Sequence, residues 1–272
     1  MTTNEDWIGR VGASWAENHR LTDRALSGLT DRLLDAIRPL GGRRILDIGC
    51  GAGELSLALS RERPSSKVVG LDISPDLVAV ARERGSNRDN LEFAIADAQT
   101  WRAGEFDPDL IVSRHGVMFF PDPVAAFSNL RQGADDRAAK LCFSCFRAPD
   151  LNPWASEIAS MFDRPQQADI DEPGPFAFAS RDAVHAMLEQ AGWQAIEHRA
   201  VDFAFVAGMG PNALDDALDF FTRIGPGARA IAEREGAERE AALLRLRDWL
   251  SRRRHGHLVA LPAAAWIVMA RV

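Results

Sequence analysis

The hydrophobic residues in the first half of this chain fall into short continuous runs, separated by stretches of helical spacing. Continuous apolar runs of this length are typical of strands buried on both faces of a parallel sheet. The stretches between them have the length of crossover helices, so the pattern predicts strands and helices that alternate along the chain. The predicted strands cover residues 43–48, 67–72, 91–97, 109–113 and 139–146.

The segments on either side of these strands have different patterns. Five apolar residues recur at helical spacing, Leu26, Leu29, Leu33, Leu34 and Ile37, and predict one or two helices within residues 1–40 that fold as a lid. Residues 148–180 are rich in proline and acidic residues, which indicates a lid, a binding loop or a disordered insert. The remaining predictions are a helix over 181–191, a strand over 195–205, a helical insertion over 211–255 that is broken at Gly225, and a last strand over 263–272.

These elements predict a single α/β domain over residues 1–272, built on a doubly wound and mostly parallel sheet. Its strand-rich core covers residues 41–147. Ligands of such sheets bind beside the carboxyl ends of the strands. The glycines and several acidic residues of this chain cluster at those ends, so we expect the functional site there.

The composition limits the partners that fit this fold. A formal net charge of -7 disfavours a nucleic-acid partner, because phosphate contacts require a surplus of lysine and arginine. The first residues show no apolar signal segment, and the longest apolar run, residues 258–270, contains Pro262 and is too short to cross a bilayer. We therefore expect a cytoplasmic protein with a small-molecule partner and no membrane span.

The number of cysteines also agrees with a cytoplasmic protein. Three cysteines are too few for a disulfide framework and fit a reducing compartment. Cys142 and Cys145 lie in a predicted strand, where alternation sends the two thiols to opposite faces. Since no second pair of ligands accompanies them, we predict buried structural cysteines and no metal site.

The most informative motif is a glycine-rich turn after the first predicted strand, Ile45-Leu46-Asp47-Ile48-Gly49-Cys50-Gly51-Ala52-Gly53. A helix is predicted directly after it, over residues 54–63. A strand, a glycine-rich turn and a helix bring backbone N–H groups and the positive end of a helix against a ligand, as in nucleotide sites. Asp72, at the end of the next strand, lies near where an acid would hydrogen-bond ribose hydroxyls, and the strand after it also ends in an acid, Asp97.

The spacing of the glycines bears on the choice of ligand. Gly49, Gly51 and Gly53 depart by one residue from the G-x-G-x-x-G pattern of dinucleotide sites. A nicotinamide-dependent oxidoreductase is the alternative reading of the turn. Short-chain dehydrogenases use a catalytic tyrosine, and the chain contains no tyrosine, which excludes that class and leaves other dehydrogenases open.

The glycine turn, Asp72 and the pair Asp97-Ala98 together resemble the class I S-adenosylmethionine-dependent methyltransferases, over about residues 43–146. The resemblance implies S-adenosylmethionine as cofactor. It also implies a Rossmann-like sheet of seven strands, whose last strand, residues 263–272, runs antiparallel. Residues 113–120, 176–178 and 261–266 are similar to a bacterial small-molecule subgroup related to the ubiquinone and menaquinone C-methyltransferases.

The resemblance also implies roles for individual residues. The first motif, with Asp47, Gly49, Cys50, Gly51 and Gly53, would wrap the methionine part of the cofactor. Its carboxylate suits the helix that starts near Gly53, and its amino group suits an acid such as Asp47. Other expected contacts are Asp72 with the ribose hydroxyls, Ile73 with adenine, Asp97 and the backbone N–H of Ala98 with the adenine edge, and Ser113 and Arg114 at the methyl-donor end.

Methyl transfer is an in-line displacement, in which positioning can supply about 7–11 kcal/mol, so a dedicated base is optional. His115, two residues beyond the fourth strand, is the leading candidate, because an unperturbed pKa near 6.5 would let it accept a proton. His19 is a second candidate if the N-terminal lid covers the site. Arg114 is a candidate partner for the cofactor carboxylate or an acidic substrate, with a structural ion pair as the alternative.

The aromatic residues of the two covering segments bear on the substrate. Trp7, Trp15, Trp154, Phe176 and Phe178 favour an apolar or aromatic molecule, although aromatic residues in such segments also pack without contacting ligands. We expect methyl transfer to an oxygen, nitrogen or carbon nucleophile of such a molecule. The other hypothesis is a protein that binds the cofactor or uses it for chemistry other than methylation, and a homodimer is left open.

Overall fold

The computed structural model describes residues 3–102, 104, 106–134, 139–163, 169 and 172–272. Its centre is an eight-stranded mixed sheet in the order β3-β2-β1-β4-β5-β8-β6, with the short β7 paired to β8. The first five strands are mutually parallel, and β8 runs antiparallel between β5 and β6. The strands are β1 (Arg44–Ile48), β2 (Lys67–Asp72), β3 (Leu91–Ile95), β4 (Leu110–Arg114), β5 (Lys140–Phe146), β6 (Gln194–Met209), β7 (Arg254–His255) and β8 (Leu258–Arg271).

Helices cover both faces of the sheet. Further helices precede β1 and lie between β6 and β7. The central strands are fully buried; Ile45 and Leu46 of β1, for example, have no exposed side-chain area. This explains why they are continuous apolar runs rather than alternating ones. The helices are α1 (Asn4–Ile8), α2 (Arg10–Glu17), α3 (His19–Ala25), α4 (Ser27–Ile37), α5 (Glu54–Glu62), α6 (Pro75–Gly85), α7 (Pro123–Gln132), α8 (Pro153–Met161), α9 (Arg181–Gln190), α10 (Ala213–Arg223), α11 (Pro226–Ala232) and α12 (Gly236–Ser251).

The order of the parallel strands determines where a crevice opens at the edge of the sheet. The chain proceeds outward from β1 through β2 to β3, and then returns to β4 on the other side of β1. The crossovers leaving β1 and β4 therefore diverge, and a crevice opens at the carboxyl ends of these two strands. Asp47 near the end of β1 is in register with Gly70 of β2 and Val112 of β4. The glycine-rich turn begins directly beyond it.

The predicted mostly parallel sheet with an antiparallel last strand is confirmed, but it has eight strands rather than seven, because the short β7 pairs with β8. The bounds of the last strand are also wrong. β8 begins at Leu258 rather than residue 263. Its pairing with β5 covers residues 265–271, so the earlier part pairs with the neighbouring strands β6 and β7 instead. Pro262 lies in this part, where its missing N–H breaks no bond to β5. A proline is therefore compatible with this strand, which the sequence pattern predicts to begin only after it.

The segment after β5 was expected to be an irregular loop, and this is wrong in part. Residues 153–161 form helix α8, which begins with Pro153 in its first turn, where a proline is well tolerated. Trp154 and Ile158 are buried on its inner face. The prolines of this segment therefore do not exclude a helix, contrary to the prediction. Residues 164–168, 170 and 171 of the expected loop lie outside the described residues.

The N-terminal and late helical segments are also divided more finely than the pattern predicts. Residues 4–37 form α1 to α4 rather than one or two helices, with breaks at Gly9, Asn18 and Leu26. The insertion before β8 comprises α10, α11 and α12 and ends at Ser251. Its helices are interrupted at Gly225, as predicted, and the positive φ of 84° at this residue explains the interruption. Within the described residues, none of the helices is long and apolar enough to cross a membrane.

Candidate functional site

A cavity of about 930 Å³ lies at the carboxyl ends of the parallel strands. Its floor is the glycine-rich turn and the ends of β1, β2 and β4, and its roof consists of residues from α1 to α3 and from the insertion helices α10 and α11. Pockets for small molecules measure about 300–1,000 Å³. A cavity near the top of that range has room for two small molecules side by side.

The three glycines of the turn all have positive φ, of 62° at Gly49, 54° at Gly51 and 86° at Gly53. This conformation strains any residue with a side chain. A Cβ added to Gly51 would meet nothing within 4 Å, since this residue faces the open cavity. Gly53, which was expected to contact a cofactor, is not among the residues that line the cavity; a Cβ there would lie 2.8 Å from Cζ of Phe93. Its requirement for glycine therefore comes from its backbone conformation and from packing against Phe93 of β3.

Asp47 is a buried acid with an oxygen that lacks a partner. The Ser56 hydroxyl donates to its Oδ2 at 2.5 Å, whereas Oδ1 is buried and has no hydrogen bond from the described residues. Burial raises the pKa of Asp47 to about 7. A buried acceptor without a donor is costly, so the site is suited to a ligand that brings one. A cationic amino group fits this position, because it would supply both a donor and a positive charge.

Asp72 at the end of β2 connects the glycine turn to helix α6. The backbone N–H of Gly51 donates to Oδ2 at 2.8 Å, and that of Ser74 donates to Oδ1 at 2.9 Å. Burial raises the pKa of this carboxyl group, and the two backbone donors oppose the rise. Each carboxylate oxygen keeps a second lone pair. Asp72 is therefore held in one orientation on the cavity wall, where it can still accept from ligand hydroxyls.

The residues after β3 form the next part of the wall. Asp97 Oδ1 accepts from the backbone N–H of Gln99 at 2.9 Å, and Asn129 donates to the carbonyl of Ala98 at 3.0 Å. These bonds fix the backbone of the turn. Ile73, Asp97, Ala98 and also Cys50 of the glycine turn line the cavity, and their contacts with a cofactor stay a prediction.

The two residues expected to contact the cofactor at the end of β4 are both engaged within the protein. Ser113 does not line the cavity; its hydroxyl donates to the carbonyl of Ile48 at 2.6 Å and accepts from the N–H of Gly116 at 3.1 Å. The prediction for Ser113 is therefore replaced by a bond that joins β1 to the β4 loop. Arg114 lines the cavity, and its guanidinium donates to Asp23 at 3.2 Å and to Thr30 at 2.8 Å.

His115 lies on the cavity wall, and its pKa is far below the expected one. Its φ of 64° is left-handed, its ring packs on Phe146 with centroids 3.9 Å apart, and Nδ1 lies 3.3 Å from the Ser144 hydroxyl. Nε2 is buried without a partner among the described residues. Burial lowers the pKa of His115 to about 3. The expected value near 6.5 is wrong, because a desolvated imidazolium is disfavoured, and His115 is neutral at pH 7.

His19, the first residue of α3, lines the roof of the same cavity and is half-buried. Its Nδ1 lies 2.8 Å from the carbonyl oxygen of Ala16. The N-terminal helices therefore do bring this histidine to the site. Both histidines that the sequence singled out belong to one cavity.

The aromatic residues divide into two groups. Trp7, Trp15, Trp154 and Phe176 line the cavity, whereas Phe178 does not and packs in the core beside Phe127 and Phe143. Phe119 and Phe120, in the segment 113–120 that the resemblance singled out, also line the cavity. Three aromatic residues of the wall were not predicted: Phe146, Phe205 and Phe220. The position of Phe146 at a strand end was a signal for it, whereas Phe205 and Phe220 reach the wall only through tertiary packing.

The roof is held to the floor by charge and by close packing. Asp23 of α3 forms ion pairs with Arg84 of α6 at 3.0 Å and with Arg114 at 3.2 Å. Gly12 of α2 lies against α6 so closely that an added Cβ would be 2.2 Å from the Ser74 hydroxyl oxygen. The N-terminal helices thus cover the glycine turn from above. No cluster of metal-ligating side chains occurs among the residues described.

Comparisons with known proteins agree with this geometry. Residues 45–134, a third of the chain, match a family model described as a methyltransferase domain. Aklanonic acid methyltransferase DauC of Streptomyces sp. (strain C5) is 34% identical over 124 residues, which cover 43% of this chain and 55% of that protein. The match therefore spans about half the length of that relative.

Two further proteins are similar over more of the chain. Trans-aconitate 2-methyltransferase of Afipia carboxidovorans is 25% identical over 213 residues, covering 69% of this chain and 76% of that protein. The structure of phosphoethanolamine N-methyltransferase 2 of Haemonchus contortus, in complex with S-adenosyl-L-methionine, superposes with a TM-score of 0.59 at 17% identity. That superposition covers 100% of this chain and 60% of the other, and it shows a shared fold.

Proposed function

Because this chain contains a class I S-adenosylmethionine-dependent methyltransferase domain, we propose that it transfers a methyl group from S-adenosylmethionine to a small apolar or aromatic molecule. The observation that carries the proposal is the composition of the cavity. One wall carries the glycine turn and three acids, and the rest is rich in aromatic side chains. A polar, charged cofactor and an apolar acceptor fit these two parts.

We assign the cofactor to the wall formed by β1, β2 and β3. Asp47 Oδ1 would accept from its amino group, Asp72 from the ribose hydroxyls, and Asp97 with the Ala98 N–H would meet the adenine edge. The open side of Gly51 leaves room for close approach to the backbone. When bound, S-adenosylmethionine supplies an electrophilic methyl group on a positively charged sulfur.

The strand order supports a position for the acceptor. With adenine assigned beside β3 and the amino group beside β1, the methyl-donor end of the cofactor would lie toward β4 and β5. Phe146 ends β5, and Trp154 stacks on Phe205 beside it, with ring centroids 4.7 Å apart and planes 1° apart. This aromatic wall supports a planar or apolar acceptor. The residues of the chain would act mainly by holding the acceptor in line and excluding water.

Two finer points belong to the same proposal. Three arginines line the roof and rim, so an acceptor with an acidic group is compatible with the cavity; they are Arg10, Arg223 and Arg229. The relatives named for aklanonic acid and trans-aconitate make acids worth testing here. Membership of the subgroup related to the ubiquinone C-methyltransferases remains a prediction. The three free buried thiols support a cytoplasmic location, and the acidic net charge supports the absence of a nucleic-acid partner; both also remain predictions.

The test is an assay with methyl-labelled S-adenosylmethionine and a panel of phenols, aromatic and aliphatic carboxylic acids, amines and quinone precursors. We expect labelled product from at least one planar acceptor, together with stoichiometric S-adenosylhomocysteine. Micromolar binding of the cofactor in calorimetry with no labelled product from any acceptor would instead support the second hypothesis, a protein that uses the cofactor for other chemistry. Absence of cofactor binding would overturn both.

A further inference from the structure

We propose that His19, on the roof of the cavity, is the general base that accepts the proton of the methyl acceptor, and that His115 is a neutral positioning residue. This inference rests on the proposed function. It reverses the order in which the sequence ranked the two histidines. The geometry of their hydrogen bonds provides the reason.

The bond between His19 and Ala16 selects one form of the imidazole ring. A carbonyl oxygen can only accept, so the Nδ1 atom 2.8 Å from it must carry the hydrogen. In the neutral ring the other nitrogen, Nε2, then has a free lone pair. Within the described part of the chain no hydrogen bond to His19 Nε2 is present, and the residue lines the cavity. An oriented ring with a free Nε2 is the arrangement of a general base.

The placement of helix α3 directs this histidine toward the methyl-donor end. His19 and Asp23 are four residues apart and share one face of the helix. Asp23 pairs with Arg114, the last residue of β4, at 3.2 Å. The face that carries His19 is therefore held over the end of β4, on the side of β1 where the sulfur is assigned.

His115 has a different environment. It is buried, its Nδ1 is 3.3 Å from the Ser144 hydroxyl, and its pKa of about 3 shows how strongly burial disfavours its charged form. Accepting a proton at this position would place an unpaired charge in the interior. Its free Nε2 is suited to hydrogen-bond the acceptor without a proton transfer.

The proton and electron balance of the step is simple. The acceptor atom forms a bond to the methyl carbon while the bond between sulfur and that carbon breaks and its electron pair stays on sulfur. His19 Nε2 takes the proton of the acceptor, and the half-buried imidazolium then returns it to solvent. Charged side chains that line the same cavity include Glu17 on α2, Asp23 on α3, Arg114 on β4 and Arg223 on α10.

The first test does not require turnover. Long-range ¹H–¹⁵N spectra of the protein with bound S-adenosylhomocysteine, assigned by the loss of one ring in His19→Asn, report which nitrogen carries the hydrogen. We expect the neutral His19 ring to show a protonated Nδ1 and an unprotonated Nε2. A ring with the hydrogen on Nε2 would overturn the proposal.

The second test uses an acceptor that the wild-type protein methylates in the labelled assay. We expect His19→Ala to lower kcat by about 10²–10⁴-fold, the usual contribution of a general base, with unchanged affinity for S-adenosylhomocysteine. Added imidazole should restore part of the rate, following the fraction of imidazole that is unprotonated. The matched control is His257→Ala, at an exposed residue remote from the cavity, which should keep the wild-type rate.

The outcomes separate this inference from the proposed function. Full turnover of His19→Ala with an unchanged pH profile, or a loss that imidazole does not restore, would exclude His19 as the base while methyl transfer stands. A wild-type protein that methylates no acceptor would count against the proposed function, and the spectrum of the His19 ring would still report on its orientation.

Discussion

Gly49 of the glycine turn and Gly116 of the loop after β4 lie in backbone contact. A Cβ atom added to Gly49 would lie 2.6 Å from the Gly116 Cα atom, and one added to Gly116 would lie 2.6 Å from the Ile48 carbonyl oxygen. The Ser113 hydroxyl, bonded to that carbonyl and to the Gly116 N–H, holds the same two segments together. The contact joins the glycine turn to the segment that carries His115.

Gly116→Ala is expected to destabilise the protein by about 1–3 kcal/mol, because the added methyl group overlaps backbone atoms that have no room to move. The φ of Gly116 is -72°, so strain of a left-handed backbone does not contribute. The matched control is Gly28→Ala in helix α4, where the added Cβ has ordinary contacts of 3.6 Å and the gain in helix propensity is about 0.5–1 kcal/mol. Urea unfolding measures both; equal stability of the two variants would contradict the close contact.

Asp72→Asn is expected to weaken binding of S-adenosylmethionine by about ten- to a hundredfold, since hydrogen bonds to a charged group contribute about 1.5–3 kcal/mol. The Asn amide cannot accept from both the Gly51 and the Ser74 N–H groups, so the melting temperature should fall as well. Calorimetry at a temperature where the variant is folded separates the two effects. Asp76→Asn, at an exposed acid one turn away on α6, serves as control; an unchanged Kd for Asp72→Asn would exclude the ribose contact.

Asp47 should make the stability of the ligand-free protein fall as pH rises. Its pKa of about 7 in the folded state exceeds the ordinary value of 3.8, so the folded state binds more protons between about pH 4 and pH 7. The full loss is at most about 4 kcal/mol, at ~1.4 kcal/mol per pKa unit. Asp47→Asn should therefore be more stable than wild type at pH 8 and similar near pH 4, measured by thermal unfolding.

Asp47→Asn should also weaken binding of S-adenosylmethionine, because the Asn side chain lacks the negative charge that pairs with the amino group of the cofactor. In wild type, binding should release protons near pH 6 as the ligand cation lowers the pKa of Asp47. Calorimetry in two buffers of different ionisation enthalpy detects this release. Equal proton release by wild type and Asp47→Asn would show that the amino group does not bind there.

His115 should make the stability of the protein rise with pH, opposite to the effect of Asp47. Its folded pKa of about 3 lies below the ordinary 6.5, so the unfolded state binds more protons in this window and stability is lost as pH falls from about 6.5 toward 3. At pH 5 the loss is about 2 kcal/mol. His115→Asn, which tolerates the left-handed backbone, should show a smaller decrease in melting temperature between pH 7.5 and pH 5. A His115 ring that titrates between pH 5 and pH 8 in NMR spectra would refute the burial argument.

Asp23→Asn should speed dissociation of the cofactor, because it weakens both ion pairs that hold the roof to Arg84 and Arg114. A loss of ~1.4 kcal/mol from these partly buried pairs corresponds to a tenfold faster rate. Stopped-flow displacement with excess S-adenosylhomocysteine measures it. Asp35→Asn removes an exposed pair with Arg38 outside the cavity and should leave the rate unchanged; equal rates in both variants would show that the roof does not control release.

The sequence by itself determined the order of strands and helices along the chain and the positions of the glycine turn, Asp72 and Asp97. These features are local: a buried strand is a continuous apolar run, and a turn with positive φ needs glycine wherever the chain leads next. The helix within the proline-rich segment was missed because Pro153 is compatible with a helix start as well as with a loop.

Only the tertiary structure decided the properties that depend on residues far apart in the chain. Arg114 meets Asp23 across 91 positions, Gly49 requires a glycine at 116, and Phe178 turns into the core although its neighbour Phe176 lines the cavity. The neutral state of His115 comes from burial, and the orientation of His19 comes from a carbonyl of the preceding helix. Burial and partnership set the pKa and the free lone pairs of a side chain, and they exist only once distant segments pack together.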